Sequence, residues 1–264
     1  MTRAPRWVAA AFVAAAAIGA CTDVGTAPDA IAALAFDTLP YPSVVAGDTM
    51  RDSLGRAAPL RAIAYNGNGD LLANPSVRYL ALDTGVDIDA KGYLVATTRT
   101  GGTVRVVAVA SALQSLSRIV QVTRAPTRLA ASESAADTLR YALPDAVTNV
   151  SKALAVKLTR DSAGTAVGVP GFLVSWLVTF RGTTIATSDT TLASLWEDAG
   201  SRRVTTVDTT STDGSASRVL RIRSNALPSA ADSFLVYAST RYRGAVVAGS
   251  PVKFVIHFRP KTAR

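Results

Sequence analysis

His257 is the only histidine of the 264-residue chain and Cys21 its only cysteine. A zinc site needs several His, Cys or carboxylate ligands converging on one ion, and neither residue has a second member of its kind. His257 alternates with Lys253 and Arg259 on the polar side of an apolar run. Two cations nearby oppose an imidazolium, so His257 reads as a surface residue and not as the base of a nucleophilic triad. Asp87 and Asp89 are two apart and share one strand face. As a glycosidase pair they would need a cleft that short sandwich strands rarely form. The stretch Asp208, Thr209, Thr210, Ser211, Thr212, Asp213, Gly214 offers two carboxylates and hydroxyls. It lacks the alternating acids and terminal glutamate of an EF-hand calcium loop, and reads better as a β-turn. No catalytic, metal or cofactor-binding residue is therefore expected.

Five residues are candidates for ligand or partner contact. Trp196 falls in a stretch rich in Thr, Ser and Asp; there it either plugs one end of a domain or stands exposed to stack on a sugar or a partner. Arg221 and Arg223 share one strand face, and Arg241 and Arg243 share another. If those strands are neighbours, four guanidiniums form a basic patch suited to carboxylate or phosphate, although like charges across a sheet repel. The charge distribution agrees in sign: 21–125 holds nine Lys and Arg against nine Asp, and 126–264 holds 17 against ten acids. Such an excess attracts acidic glycan, phosphorylated lipid or nucleic acid, or is simply a solvated surface.

The N-terminus narrows that choice. Residues 1–6 carry two arginines, 7–18 are almost wholly apolar, and Gly19 and Ala20 are small residues directly before Cys21. The apolar run is shorter than the ~20 residues of a spanning helix. The pattern is that of a cleaved export signal, and Ile18-Gly19-Ala20-Cys21 resembles the lipobox of bacterial lipoproteins. The resemblance implies that Cys21 becomes the lipid-bearing first residue of the mature chain and tethers it to a membrane, with the outer membrane expected because aspartate does not follow Cys21 directly. An exported, tethered chain has a protein, a glycan or an anionic envelope component as its expected partner, and no nucleic acid.

Positioning falls to β-structure. After 1–20 as signal peptide and 21–31 as a flexible, Gly/Pro-punctuated tether, short β-branched runs begin: 59–65, 77–82, 93–97, 103–110 and 116–123. Between them lie turn residues such as Asn66-Gly67-Asn68-Gly69-Asp70, Asp89-Ala90-Lys91-Gly92 and Gly101-Gly102. Such spacing predicts an all-β sandwich. In the second half, Phe172, Val174, Trp176, Val178 and Phe180 make one apolar face, and Val252, Phe254, Ile256 and Phe258 another. Residues 181–214 are expected to hold long loops and one irregular strand. A helix is conceivable over 131–141, stopped by Leu143-Pro144.

Val45-Ala46-Gly47-Asp48-Thr49, Arg61 to Tyr65, Val86-Asp87-Ile88-Asp89 and Gly101 to Val106 together resemble the group 2 bacterial immunoglobulin-like modules. Tyr79 stands where those modules usually carry tryptophan, and 50–58 is longer and more polar than in the family. Asp161-Ser162-Ala163-Gly164, Val169-Pro170-Gly171, Ser175-Trp176, Asp213-Gly214 and Gly249-Ser250-Pro251 are similar to the group 1 modules of invasin- and intimin-like proteins. The resemblances imply two immunoglobulin-like β-sandwiches in series, 32–124 and 125–264, with Trp176 between the sheets of the second. They point to a non-enzymatic binding, adhesion or spacer element. The alternative is a periplasmic accessory protein or chaperone that captures another chain by β-strand addition.

Overall fold

The computed structural model describes residues 30–97, 101–187, 191–198, 200–227 and 231–261. The expected signal peptide and all of the expected tether but 30–31, Cys21 included, lie outside the described residues. What is described is all-β apart from one 3-10 turn at Ser224–Ala226, and it forms two sandwiches, each with its own apolar core.

The first sandwich holds β1 (Ala33–Phe36), β2 (Ser43–Val45), β3 (Ala62–Tyr65), β4 (Arg78–Ala81), β5 (Val86–Ile88), β6 (Leu94–Ala96), β7 (Thr103–Ala110), β8 (Leu113–Gln114) and β9 (Arg118–Thr123). One sheet runs β2-β9-β7-β4, with β8 on β7; the other side consists of the pairs β1-β3 and β5-β6. Alternation builds the core: Val104, Val106 and Ala108 point inward from β7 and meet Val120 and Val122 of β9. Tyr79 packs edge-on against Phe36, with ring centroids 5.8 Å apart, so a smaller aromatic fills the place where tryptophan was expected.

The second sandwich comprises β10 (Arg128–Ala131), β11 (Ala136–Tyr141), β12 (Leu154–Ser162), β13 (Thr165–Gly168), β14 (Leu173–Phe180), β15 (Thr183–Ile185), β16 (Ala193–Trp196), β17 (Val207–Thr209), β18 (Ser215–Ile222), β19 (Asp232–Ser239), β20 (Arg241–Tyr242), β21 (Ala245–Val246) and β22 (Val252–Pro260). Its sheets run β10-β12-β18-β16 and β11-β22-β19-β14-β15; β13 adds to β12 and β17 to β14. This is the two-sheet strand order of an immunoglobulin-like sandwich. Both sandwiches close by a parallel pairing of an early strand with the last one, β2 with β9 and β11 with β22. Trp176 is buried in the second core and stacks on Phe254 at 6.0 Å.

Two stretches differ from expectation. Residues 131–141 hold no helix: β10 ends at Ala131 and β11 begins at Ala136. Leu139 and Tyr141 are buried two apart while Arg140 between them is exposed, a period of two that only a strand satisfies. The 181–214 stretch contains three short strands and not one, because β15 and β17 take backbone pairings on β14 while β16 pairs with β18.

Candidate functional site

The segment 50–58, longer and more polar than in the modules the chain resembles, lies at the junction of the two sandwiches. Arg51 and Gly55 of this segment, with Tyr41, Ser43, Val45 and Asp48 of the first sandwich, face Phe172 and the β20–β21 hairpin of the second. The charged centre is Asp48. Its carboxylate accepts hydrogen bonds from Arg51 Nε (3.0 Å) and Nη2 (2.9 Å), the Thr49 N–H (2.9 Å), Tyr242 Oη (3.1 Å) and Arg243 Nε (2.9 Å). Burial alone would raise the Asp48 pKa, but the bonds from Arg51, Arg243, Thr49 and Tyr242 outweigh it and hold the carboxyl far below the usual aspartate range. Three of these five bonds come from the first sandwich and two from the second, so docking of the second sandwich completes the hydrogen bonding of this carboxylate.

Beside this cluster lies an aromatic seam. The Tyr41 ring meets Phe172 edge-on at 5.7 Å, and Phe172 meets Tyr242 edge-on at 6.2 Å. The Tyr41 hydroxyl oxygen accepts the Leu173 N–H at 2.8 Å, which satisfies a strand-end donor of the other domain. Burial, partly offset by that bond, pushes the Tyr41 pKa up to about 12. Val45 of β2 belongs to the core of the second sandwich. Gly55, at φ +84°, packs backbone to backbone against Gly244, where any Cβ would collide. The remaining space is a crevice of about 30 Å³, enough for one or two waters and no more. The junction is therefore a docking surface between domains and holds no ligand pocket.

The arginines are not gathered into one patch. Arg243 is committed to Asp48, and Arg241 donates to the Gly244 carbonyl at 2.9 Å. Arg221 lies near the far end of β18 and Arg223 directly after it, six and eight residues beyond the start of the strand. There Arg221 is almost wholly buried and donates from Nη2 to Asp145 Oδ2 at 2.6 Å, with Arg223 Nη1 at 3.6 Å from the same oxygen. Asp145 also accepts from the Ser224 N–H (3.0 Å) and Asn149 Nδ2 (3.2 Å). Burial opposes its ionisation, but the Ser224, Arg221 and Asn149 bonds bring its pKa down to about 2. The arginines are apart because β18 and β20 do not pair: β18 belongs to one sheet, and β20 pairs only with β21.

Trp196 ends β16, whose four residues are all buried, and the Arg221 guanidinium lies 5.9 Å from its ring centroid. Its ring supports that arginine inside the domain. Sequence reasoning could not foresee this, because Asp145 and Asn149 come from a loop more than 70 residues upstream.

The other groups have structural employment. Asp89 accepts the Lys91 and Tyr93 N–H groups at 2.9 Å each, closing a turn. Asp213 accepts from Ser211 Oγ and from Ser215 N–H and Oγ, and Asp208 pairs with the buried Arg218 at 3.0 Å. The 208–214 corner is a turn that carries the chain from β17 in one sheet to β18 in the other. His257 is exposed, and its Nδ1 lies 2.7 Å from Ser233 Oγ.

No protein-family model and no curated protein matches the chain. Among solved structures, it is similar to the surface layer protein SbsC, domains 1–6, at 13% identity over 88% of this chain and 28% of that one, with a TM-score of 0.30. It is similar to the Yersinia pseudotuberculosis adhesin InvE at 13% identity, over 86% of this chain and 58% of that one, with a TM-score of 0.30. The Escherichia coli adhesin FdeC is 15% identical over 88% of this chain and 64% of its own, with a TM-score of 0.27. The chain thus spans less than two thirds of each of these proteins. Its own strand order makes it a tandem pair of immunoglobulin-like sandwiches joined by a charged and aromatic junction.

Proposed function

We propose that this chain is a lipid-anchored cell-envelope protein that serves as a non-enzymatic binding, adhesion or spacer module. The observation that carries the reading is the junction: two sandwiches share Asp48, the Tyr41–Phe172–Tyr242 seam and Val45, so together they form one continuous scaffold. Such a scaffold suits a protein that must hold a surface away from its tether. The tether itself is the Cys21 lipobox, and the resemblance to group 2 and group 1 bacterial immunoglobulin-like modules supports the same assignment. Strand addition to a partner chain is less well supported, since the outer strands β2, β4, β10, β11, β15 and β16 hold only three to six residues.

The test is fractionation with Cys21→Ala. The variant is expected to leave the membrane fraction folded, and wild type to incorporate labelled palmitate. Persistence of the variant in membranes overturns the anchor. Protease shaving of intact cells then distinguishes outward display, which predicts cleavage, from a periplasmic spacer.

A further inference from the structure

The outer face of the β11–β22 ladder carries charge that no fold requirement explains. Arg140 and Arg259 are register partners in that parallel pairing, and both are exposed. Like charges on neighbouring strands are destabilising, yet among the described residues neither makes an ion pair. The next row of the same face places Thr138 beside His257 and His257 beside Ser233. Ser233 Oγ lies 2.7 Å from His257 Nδ1, which fixes the ring and leaves its other nitrogen free to face outward. Two residues further back come Val255 and then Lys253, which is paired with Tyr237 on β19.

Cations at 253 and 259 on one face of a strand are about 20 Å apart along it. Of the two rows between them, one is apolar (Ala136, Val255 and Leu235) and the next supplies the hydroxyls of Thr138 and Ser233 beside the His257 ring. A shallow groove of about 370 Å³ runs over Thr138, Ser233, His257 and Arg259. The one acid lining it, Asp232, is already engaged by Arg181 Nε at 2.8 Å.

We infer that this face is a binding strip for a linear acidic polysaccharide, with Arg140 and Arg259 gripping its carboxylate or sulfate groups and Thr138, Ser233 and His257 bonding its hydroxyls. The chemistry fits a chain better than a single phosphate. The donors lie in two adjacent rows across β11, β22 and β19 and belong to side chains, whereas isolated phosphates are typically cradled by converging backbone N–H groups. Guanidiniums in adjacent register offer planar, bidentate contacts to successive anionic groups. The strip rests on the reading of the chain as a binding module and names the ligand class that module takes.

The test uses the full chain in detergent, with heparin as the probe of a sulfated uronate polymer. Arg140→Glu/Arg259→Glu is compared with the charge-matched Arg61→Glu/Arg78→Glu on the first sandwich, and thermal unfolding checks that both fold. Wild type and the control are expected to bind, and the strip variant to bind about tenfold or more weakly. Equal weakening of both variants means net charge alone and overturns the strip. Capture by lipopolysaccharide vesicles without binding to heparin also overturns it, as does failure of wild type to bind heparin. None of these outcomes touches the fractionation result for Cys21, so failure of the strip and failure of the anchor are separable.

Discussion

Arg243 of the second sandwich donates its Nε to Asp48 Oδ2 of the first at 2.9 Å, and the two residues are unequally buried, with side-chain exposures of 54% and 7%. The contact is therefore asymmetric. An arginine released from it can turn to water, whereas a carboxylate deprived of its donors stays buried.

That asymmetry predicts a ranking. Asp48→Asn is expected to cost roughly 1–3 kcal/mol, because it removes the charge on which Arg51, Tyr242 and Arg243 converge. Arg243→Ala leaves Arg51 and Tyr242 in place and is expected to cost less than Asp48→Asn, because the exposed guanidinium returns to water. Urea unfolding of both variants checks the order, and a larger loss for Arg243→Ala would refute it.

Gly55→Ala tests the backbone contact. A methyl group there meets Gly244 across the junction, and φ +84° is strained for alanine. The expected cost is about 1–3 kcal/mol, with the domains swinging apart. Small-angle scattering should report a larger radius of gyration, and proteolysis should find new cuts near 124–127.

Tyr41→Phe keeps the ring against Phe172 and orphans the Leu173 N–H. Stability is expected to fall by about 1–3 kcal/mol. The Tyr41 pKa is raised from 10 to about 12, so the folded state favours the neutral phenol. Its contribution is complete below about pH 10 and is lost as pH rises through about 12. Denaturation midpoints across that window should drop in wild type and be flatter in Tyr41→Phe.

The acid limb belongs to the aspartates. Asp145 has its pKa lowered from 3.8 to about 2, so its stabilisation is present above about pH 4 and is lost as pH falls through about 2. The shift corresponds to about 2 kcal/mol. Asp48 is depressed further and acts in the same direction, its contribution likewise lost on acidification. Asp145→Asn should flatten the pH dependence of the unfolding free energy between those limits, and an unchanged slope would show that other groups carry it.

Most of the sheet was readable because its signal is local. Phe172 through Phe180 and Val252 through Phe258 alternate cleanly, and the buried positions are the ones that alternation marks. What escaped was everything set by distant partners. The 131–141 stretch has small residues compatible with a helix, and only its pairing with β22, more than 100 residues later, makes it a strand. Arg221 looks available in sequence, yet it is buried between the Trp196 ring and Asp145, and of the two readings of Trp196 the buried one holds. The polar excess of 50–58 was visible as a departure from pattern. Its cause, the β20–β21 hairpin nearly 200 residues downstream, was not.

The parallel closures β2–β9 and β11–β22 also decide how this chain bears load. In each, a strand from the beginning of a sandwich lies beside its last strand and runs in the same direction. Tension applied between the two ends of a sandwich slides these neighbours lengthwise past each other, so their cross-strand bonds resist together and cannot be peeled one at a time. Each sandwich is thus fastened across the line along which tension between its two ends would act.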